Sequence, residues 1–405
     1  MKVLFVADGT LKNPASGSEQ VLHQQATGLI AQGMDVFALT RQEGRAPTIH
    51  RDVKGVEEAC YSLSTKSVPG FFSSLLREPP RLYDVFSKDR PFDAAICHHP
   101  FTYFALLATG RLSDIPTIHV FHSPTHEEYH LLHKKRGWLR NVLPVRARWM
   151  IEKYCHKRST RIMVLSEYMK QKVVDIYGIP DSRIIVNPGG VDLNFFQPPV
   201  DRERLKRNLD FPKGRIHLFT VRNLEPRMGL DNLLKCIHIL KRNQTRTHLI
   251  LGGEGAEREN LEDLIGKYDL SDSVTMMGFI PSDRLPEYYG AADFFILPTR
   301  RLEGFGLVTV ESMACGTPVL GTPVGGTKEI LSAFDSRFLF KDSSPEAMAV
   351  GVEAAINKNF ARREEYDALR VQCRGYAERN YSWNRHVDQL RSIIDEAISS
   401  RHKGF

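Results

Sequence analysis

Short apolar runs alternate along the chain with polar stretches that carry apolar residues at helical spacing. Val3–Ala7 is such a run, closed by Asp8-Gly9. A polar loop over Leu11–Gly17 follows. From Ser18 onward Leu22, Ala26 and Leu29 recur at helical spacing until Gly33. Val36–Leu39 resumes as a strand, so the chain opens as a βαβ unit. Ala94–Cys97, Thr117–Phe121, Ile162–Leu165 and Ile184–Val186 are further predicted strands. Runs of this kind, apolar throughout, suit a parallel sheet covered on both faces. Turn-forming residues thicken at Asn187-Pro188-Gly189-Gly190 and Gln197-Pro198-Pro199, which predicts a linker. The pattern then restarts with a strand at His217–Val221 and a helix over Asp231–Arg242. The helix places Leu230, Leu233, Leu234, Ile237 and Leu240 on one face. His248–Leu251, Val274–Met277, Phe294–Leu297 and Pro318–Leu320 continue the series, and the chain reads as helical after Pro345. Two such halves predict an α/β protein of two doubly wound, Rossmann-like domains facing a cleft. The expected domains are residues 1–195 and 196–375, with a C-terminal helix over 376–405 packing back on the first.

Composition narrows the class. With 405 residues, 42% apolar and 25% charged, the chain is neither disordered, collagen-like nor a coiled coil, and it is long enough for two or three domains. No apolar run is long enough to span a bilayer. The opening MKVLFVADGT is too short to be a signal peptide and reads as a first strand. The six cysteines form no C-x-x-C, which points to free thiols in a reducing cytoplasm. Residues 1–190 hold 25 Lys and Arg against 18 Asp and Glu, while the remainder balances. A phosphate-bearing or anionic lipid partner would therefore meet the first half first.

The richest chemistry lies between Leu297 and Gly316. A strand ends at Leu297, a loop carries Glu303, Gly304 and Gly306, and a helix begins near Gly306 with Glu311 about one turn in. Glycines let backbone N–H groups approach a ligand closely, and a helix N-terminus favours negative charge. Two carboxylates near one crevice suit a polyhydroxylated ligand.

The pair Glu303 and Glu311, seven residues between them and Gly-Phe-Gly after the first, resembles the retaining family 4 glycosyltransferases of the GT-B fold. Ala292-Asp293, Glu311-Ser-Met-Ala-Cys-Gly-Thr-Pro-Val319, Gly325-Gly326, Gly252-Gly-Glu-Gly255 and Met277-Gly-Phe-Ile280 resemble the same family. The resemblance implies that Glu303 contacts hydroxyls of a donor sugar and that the backbone of Gly304, Phe305, Gly306 and Leu307 meets sugar and diphosphate. It also implies that Glu311 holds the ribose and that the backbone from Gly278 to Ile280 lines the base pocket. Arg222 fills the family's arginine position in the diphosphate clamp. The usual lysine position holds Met228, which cannot neutralise phosphate; the neighbouring Arg227 is the expected substitute, with bidentate geometry. Gly17, between the first strand and helix, resembles the family's glycine loop. Ser16-Gly17-Ser18-Glu19 is not G-x-G-x-x-G, which argues against a nicotinamide enzyme. His122, just after a predicted strand, matches a family histidine close to the donor sugar and is expected to act with Glu303 in catalysis. His119 is expected in the core. No Asp-x-Asp occurs, which fits a clamp made without a divalent metal or other cofactor. His126 and His130 lack the acidic companions of a metal site.

Residues 131–161 are strongly basic, with Lys134, Lys135, Arg136, Arg140, Arg146 and Arg148 among ten cations that face only Glu152. Trp138, Leu139, Trp149 and other apolar residues are interleaved, and Pro144 is expected to break the segment in two. This pattern reads as a surface for an anionic membrane or acceptor, with a solvated helix face as the alternative. No nucleic-acid motif accompanies it. Phe71-Phe72 is a second candidate apolar contact. The expected function is transfer of a hexose or related sugar, with retention, from a nucleoside diphosphate donor (UDP favoured over GDP). The expected acceptor is a lipid-linked or other glycan hydroxyl in cell-envelope polysaccharide assembly, at the cytoplasmic membrane face. The alternatives are a soluble small-molecule acceptor, a sugar-nucleotide epimerase of the same architecture and a non-catalytic nucleotide-sugar-binding protein.

Overall fold

The computed structural model describes residues 1–12, 14, 16–42, 48–88, 91–133, 138–359 and 363–402. They divide into two compact units. The first comprises Met1–Gly189 with the C-terminal stretch from Trp383; the second is Gly190–Ser382.

In the first unit the order is β1 (Lys2–Ala7), α1 (Gly17–Ala31), β2 (Asp35–Arg41), β3 (Thr48–Val53), β4 (Val56–Tyr61), α2 (Val68–Leu75), α3 (Glu78–Ser87) and β5 (Ala94–His98). There follow α4 (Pro100–Ala108), β6 (Thr117–Phe121), α5 (Thr125–Leu132), α6 (Trp138–Arg158), β7 (Arg161–Val164), α7 (Glu167–Tyr177) and β8 (Ile184–Val186). The sheet order is β3-β4-β2-β1-β5-β6-β7-β8, parallel except for the β3–β4 pair. From β1 the chain winds to one side through β2 and β4, then to the other through β5. The switch point, where such sheets bind ligands, therefore lies at the carboxyl ends of β1 and β5. The runs read as strands from the sequence are buried along both faces, β5 and β6 completely.

The β3–β4 pair was not predicted. Strand β4 carries Glu57 and Glu58 in a row, which breaks the apolar signal. Glu58 is nevertheless fully buried. Its carboxylate accepts from Thr40 Oγ1 at 2.6 Å and from the Leu11 amide at 3.2 Å, which satisfies a group that is otherwise costly to desolvate. Pro144, expected to end a helix, lies inside α6. A proline there removes one backbone hydrogen bond near the helix start; packing of the long helix against α4 and α5 outweighs that loss.

In the second unit the order is α8 (Arg202–Asn208), β9 (Ile216–Val221), α9 (Leu230–Arg242), β10 (Thr247–Gly252), α10 (Arg258–Lys267), β11 (Val274–Gly278) and α11 (Leu285–Ala291). Then come β12 (Phe294–Leu297), α12 (Leu307–Ala314), β13 (Val319–Gly321), α13 (Gly325–Asp335), α14 (Pro345–Asn359) and α15 (Arg363–Asn380). The sheet order is β11-β10-β9-β12-β13, parallel throughout. Its switch point lies at the carboxyl ends of β9 and β12.

The last helix, α16 (Trp383–His402), belongs to the first unit. Val387, Leu390, Ile393, Ile394 and Ala397 share a core with Val3, Phe5, Leu22 and Leu29. Leu390 and Ile394 are fully buried, each contributing about 1.5–3 kcal/mol. Gly28 of α1 makes room, since a Cβ there would lie 2.5 Å from a Val387 methyl.

Candidate active site

Two clusters of polar side chains occupy the two switch points. In the second unit Arg222 directly follows β9, and its guanidinium reaches across to the loop after β12. Arg222 Nη2 donates to Glu303 Oε2 at 2.7 Å, and Thr299 Oγ1 donates to the same oxygen at 2.8 Å. Both charged side chains are below a tenth exposed. Breaking such a pair from one side leaves a buried charge uncompensated. Arg222 Nε is buried without a partner, an uncommon state for a buried donor.

The loop between Glu303 and α12 is clamped from behind by the start of α13. The Gly326 amide donates to the Glu303 carbonyl at 3.0 Å. A Cβ on Gly325 would lie 1.9 Å from that carbonyl oxygen, and one on Gly326 would lie 2.5 Å from Phe305 Cα. Only glycine permits this approach. Phe305 is buried and meets Tyr381 edge-on at 5.6 Å, so its side chain is core. Gly306, at φ +94°, is the residue before α12, and no side chain caps that helix. The amides that open α12 at Leu307 are therefore left for a ligand.

Glu311, one turn into α12, accepts from the buried Tyr289 hydroxyl at 2.9 Å. Burial pushes its carboxyl up to about 7, against the opposing pull of the Tyr289 bond and the Arg222 charge. Glu303, Arg222 and Glu311 thus form one electrostatic group. Nearby, the loop after β10 and the end of β11 come together: the Gly253 amide donates to the Gly278 carbonyl at 2.7 Å. Ile280 is buried beneath Gly252, while Phe279 between them is 64% exposed.

The two residues at the questioned clamp positions are both engaged. Met228 is buried, and its Sδ accepts from Arg222 Nη2 at 3.0 Å. It buttresses the arginine and carries no charge. Arg227 is held by Glu225 at 3.0 Å and by the Leu302 carbonyl at 3.0 Å, so its guanidinium stabilises the loop that bears Glu303. Leu302 itself has φ +58°, an unfavourable backbone for a leucine.

The first unit gathers histidines. His98 ends β5, His99 follows it at φ +66°, and His122 follows β6. His98 Nδ1 lies 3.0 Å from His122 Nε2, and His99 Nε2 lies 3.1 Å from Ser18 Oγ. Burial lowers the His122 imidazole well below its usual range, and neighbouring His99 and His119 add to this. Asp8, beyond β1, accepts from the Phe101 and Thr102 amides at 3.1 and 3.0 Å, filling the N-terminus of α4. Gly17 is exposed at the first turn of α1. There Ser16 and Glu19 form a capping box, and Glu19 Oε1 also accepts from the Thr10 amide at 3.1 Å. The loop around Gly17 is thus folded onto its own helix. His119 lies in the core, 3.2 Å from His156.

The basic segment is less free than its composition suggests. Lys134, Lys135 and Arg136 lie outside the described residues, and Arg140 lies in the first turn of α6. Arg148 sits over the Tyr129 ring at 3.8 Å and donates to the Pro144 carbonyl at 3.2 Å. Arg146 is exposed. Glu152, the lone acid, is buried: it accepts from the Thr125 amide at 2.8 Å and from Tyr177 at 2.7 Å, and it pairs with His126 at 3.1 Å. Phe71 and Phe72 meet edge-on at 5.5 Å, with Phe72 packed against the core. Among the described residues no group of three or more His, Cys, Asp or Glu is placed to hold a metal ion. No described helix is long and apolar enough to cross a membrane.

Sequence reasoning did not find His98, Gln25, His386, Tyr289 or Thr299. His98-His99 carried a usable signal: an apolar run ending in two titratable residues before a proline marks a strand end at a switch point.

Comparison with known proteins places this arrangement. Residues 201–379 match the model of glycosyl transferases group 1, and residues 15–195 match that of glycosyltransferase family 4. The chain belongs to the family 4 glycosyltransferases, enzymes of the two-domain GT-B fold. It is 26% identical to the D-inositol 3-phosphate glycosyltransferase of Kineococcus radiotolerans, over 96% of this chain and 92% of that one. Sucrose-phosphate synthase from Thermosynechococcus elongatus has the same fold, with a TM-score of 0.83 at 19% identity, covering 99% of this chain and 100% of the other. So has Anabaena HepE in complex with UDP-glucose, with a TM-score of 0.73 at 16% identity, covering 99% and 100%.

Proposed function

We propose that this glycosyltransferase moves a hexose or related sugar from a nucleoside diphosphate donor to a hydroxyl of a small soluble acceptor, with retention at the anomeric carbon. The observation that carries the donor half is the buried Arg222–Glu303 pair at the switch point, in front of uncapped helix amides. Glu303 accepts from sugar hydroxyls. The amides of Gly304 to Leu307 and the positive charge of Arg222 stabilise the leaving diphosphate, electrostatically and without a divalent metal. Glu311 accepts from the ribose, and the backbone of Gly278 to Ile280 borders the base. His122 binds the sugar, and the departing phosphate takes the acceptor's proton.

A UDP-linked donor is favoured over a GDP-linked one because the structural relative HepE was captured with UDP-glucose. The relatives favour the soluble acceptor over the lipid-linked one, since one is named for inositol 3-phosphate and another for sucrose phosphate. The basic excess of the first half matches a phosphorylated acceptor of that kind. One observation keeps a membrane acceptor as a second reading: Leu143 (76% exposed) and Met150 (57% exposed) share a stripe of α6 with Arg146.

A thermal-shift panel with UDP, GDP, ADP and CMP, each with and without EDTA, tests the donor half. A folded-state ligand raises the melting temperature by mass action, so UDP should give the largest shift, unchanged by EDTA. Incubation with UDP-glucose and inositol 3-phosphate, with the anomeric coupling of the product read by NMR, tests the rest. A product with inverted configuration, or transfer only to vesicle-borne lipid, defeats the proposal.

A further inference from the structure

His122 is the outer end of a hydrogen-bonded line that runs through the first unit to the C-terminal helix. His122 Nε2 lies 3.0 Å from His98 Nδ1. His98 Nε2 lies 3.0 Å from Gln25 Oε1, and Gln25 Nε2 lies 2.9 Å from His386 Nε2. His386 Nδ1 lies 2.8 Å from the Pro188 carbonyl. Gln25 and His98 are fully buried and His386 nearly so, whereas His122 is partly exposed.

The direction of every bond follows from the anchored end. A carbonyl only accepts, so His386 carries its proton on Nδ1. Burial holds His386 down to about 4, so it is neutral and its Nε2 is a lone pair. Gln25 must then donate from Nε2, which fixes its amide and turns Oε1 towards His98. His98 donates from Nε2 into that oxygen. Being neutral as well, since burial lowers it well below the usual range, it offers a lone pair at Nδ1. His122 consequently donates from Nε2 and is left with a bare Nδ1.

We infer that Gln25 and His386 are positioning residues that hold His122 in its Nε2–H tautomer, so that its free nitrogen takes a hydroxyl of the sugar substrate and turns away carboxylate or phosphate oxygens. This rests on the proposed function for the identity of the ligand. The tautomer itself rests on the chain of contacts and on the neutrality that burial imposes on His386 and His98. Nothing local to His122 sets it: Gln25 is on α1 and His386 on α16, and the line ends on a backbone carbonyl that has a single role. A neutral acceptor there binds a hydroxyl without the desolvation cost of an imidazolium.

The test uses full-length protein labelled with 15N-histidine, the His122 signals being assigned by their loss in His122→Asn. The wild type should show a protonated Nε2 and a bare Nδ1, and saturating UDP-glucose should move the Nδ1 signal as it accepts a hydrogen bond. Gln25→Met, of similar volume, removes the acceptor for His98. It should let His122 populate the Nδ1–H form and lower kcat/KM with UDP-glucose at least tenfold. Gln25→Glu restores an acceptor to His98 and should recover most of that loss. A protonated Nδ1 on wild-type His122, or a Gln25→Met protein with unaltered tautomer and rate, overturns the inference. So does an Nδ1 signal that ignores a nucleotide sugar which the enzyme turns over. Wild-type spectra decide the tautomer even if a variant does not fold. Failure of every nucleotide sugar to react, beside the inferred tautomer, sinks the proposed function and leaves the relay supported.

Discussion

At the carboxyl ends of β9 and β12 the polar groups are ions held against one another: Arg222 on Glu303, with Glu311 behind them. At the carboxyl ends of β5 and β6 they are neutral imidazoles joined by single-direction hydrogen bonds. The two sheets offer the same geometry there, a switch point with helix N-termini beside it. The difference lies in what burial has been allowed to do. In the second unit Arg222 and Glu303 are buried as a pair, so their charges survive burial, whereas Glu311 is bonded to a hydroxyl and is driven towards its neutral form. In the first, His98 and His122 are bonded to a histidine and an amide instead of a carboxylate, and burial keeps them uncharged. Glu311 and the buried histidines consequently answer acid with opposite signs. Glu311 has a raised folded-state value. The stability tied to its neutral form is complete below about pH 4.5 and is lost as pH rises through about 7. His386 and His156 are lowered to about 4 and about 3. Their contribution is present above about 6.5 and is lost as pH falls towards those values.

The comparison can be broken most forcefully at the ion pair. Arg222→Met strips Glu303 of its partner and should lower kcat by about 10²–10³-fold, in line with loss of one preorganised charge-stabilising donor. Steady-state kinetics with UDP-glucose measures it, and a variant within threefold of wild type would show that the pair is only structural. The next largest effect belongs to the histidines. All three tryptophans, Trp138, Trp149 and Trp383, lie in the first unit, so their fluorescence reports its unfolding alone. Urea midpoints read that way should drop as pH falls from 6.5 to 4. Each buried histidine contributes up to about 1.4 kcal/mol per pH unit over that window. A flat profile contradicts the neutral relay.

A smaller effect sharpens the carboxylate side. Burial raises the Glu311 carboxyl to about 7, so below that pH it is increasingly protonated and, in the proposed donor site, a weaker acceptor for ribose hydroxyls. UDP affinity measured by calorimetry should therefore rise up to about tenfold between pH 6 and 8. Glu311→Gln should remove that dependence at a cost of about 1–2 kcal/mol. Smallest of all, Arg146→Gln should change pelleting with anionic vesicles by no more than about 1 kcal/mol, the contribution of one surface cation. A larger change would revive the membrane acceptor.

What the sequence disclosed follows the same division. The strands of the sheet centres were legible because parallel strands buried on both faces must be apolar throughout, as in β5, β6 and β12. The Glu303 loop was legible because a short spacing of glycines and carboxylates is local. Arg222 and Glu303 were each named, but their bond spans 81 positions and no spacing announces it. The relay was less visible still. Gln25 meets His98 across 73 positions and His386 across 361, and each alone reads as an ordinary polar residue on a helix or strand. Strand β4 was hidden for another reason: Glu58 is a buried charge, which local hydropathy reads as surface. Arg148 and Glu152 inverted the reading of α6, because stacking on Tyr129 and capping of α5 draw both inward.

Helix α16 has a consequence for the order in which the molecule can be made. Residues 190–382 are contiguous, so that unit has all its parts as soon as Ser382 has left the ribosome and has room to fold. The unit synthesised first is the one that must wait. Until Trp383 onward emerges, α1 exposes the groove that Val387 and Leu390 will fill, and Gln25 has no His386 to donate to. The amino-terminal half of the nascent chain therefore keeps that apolar face open until the last helix arrives, and its histidine line closes only then.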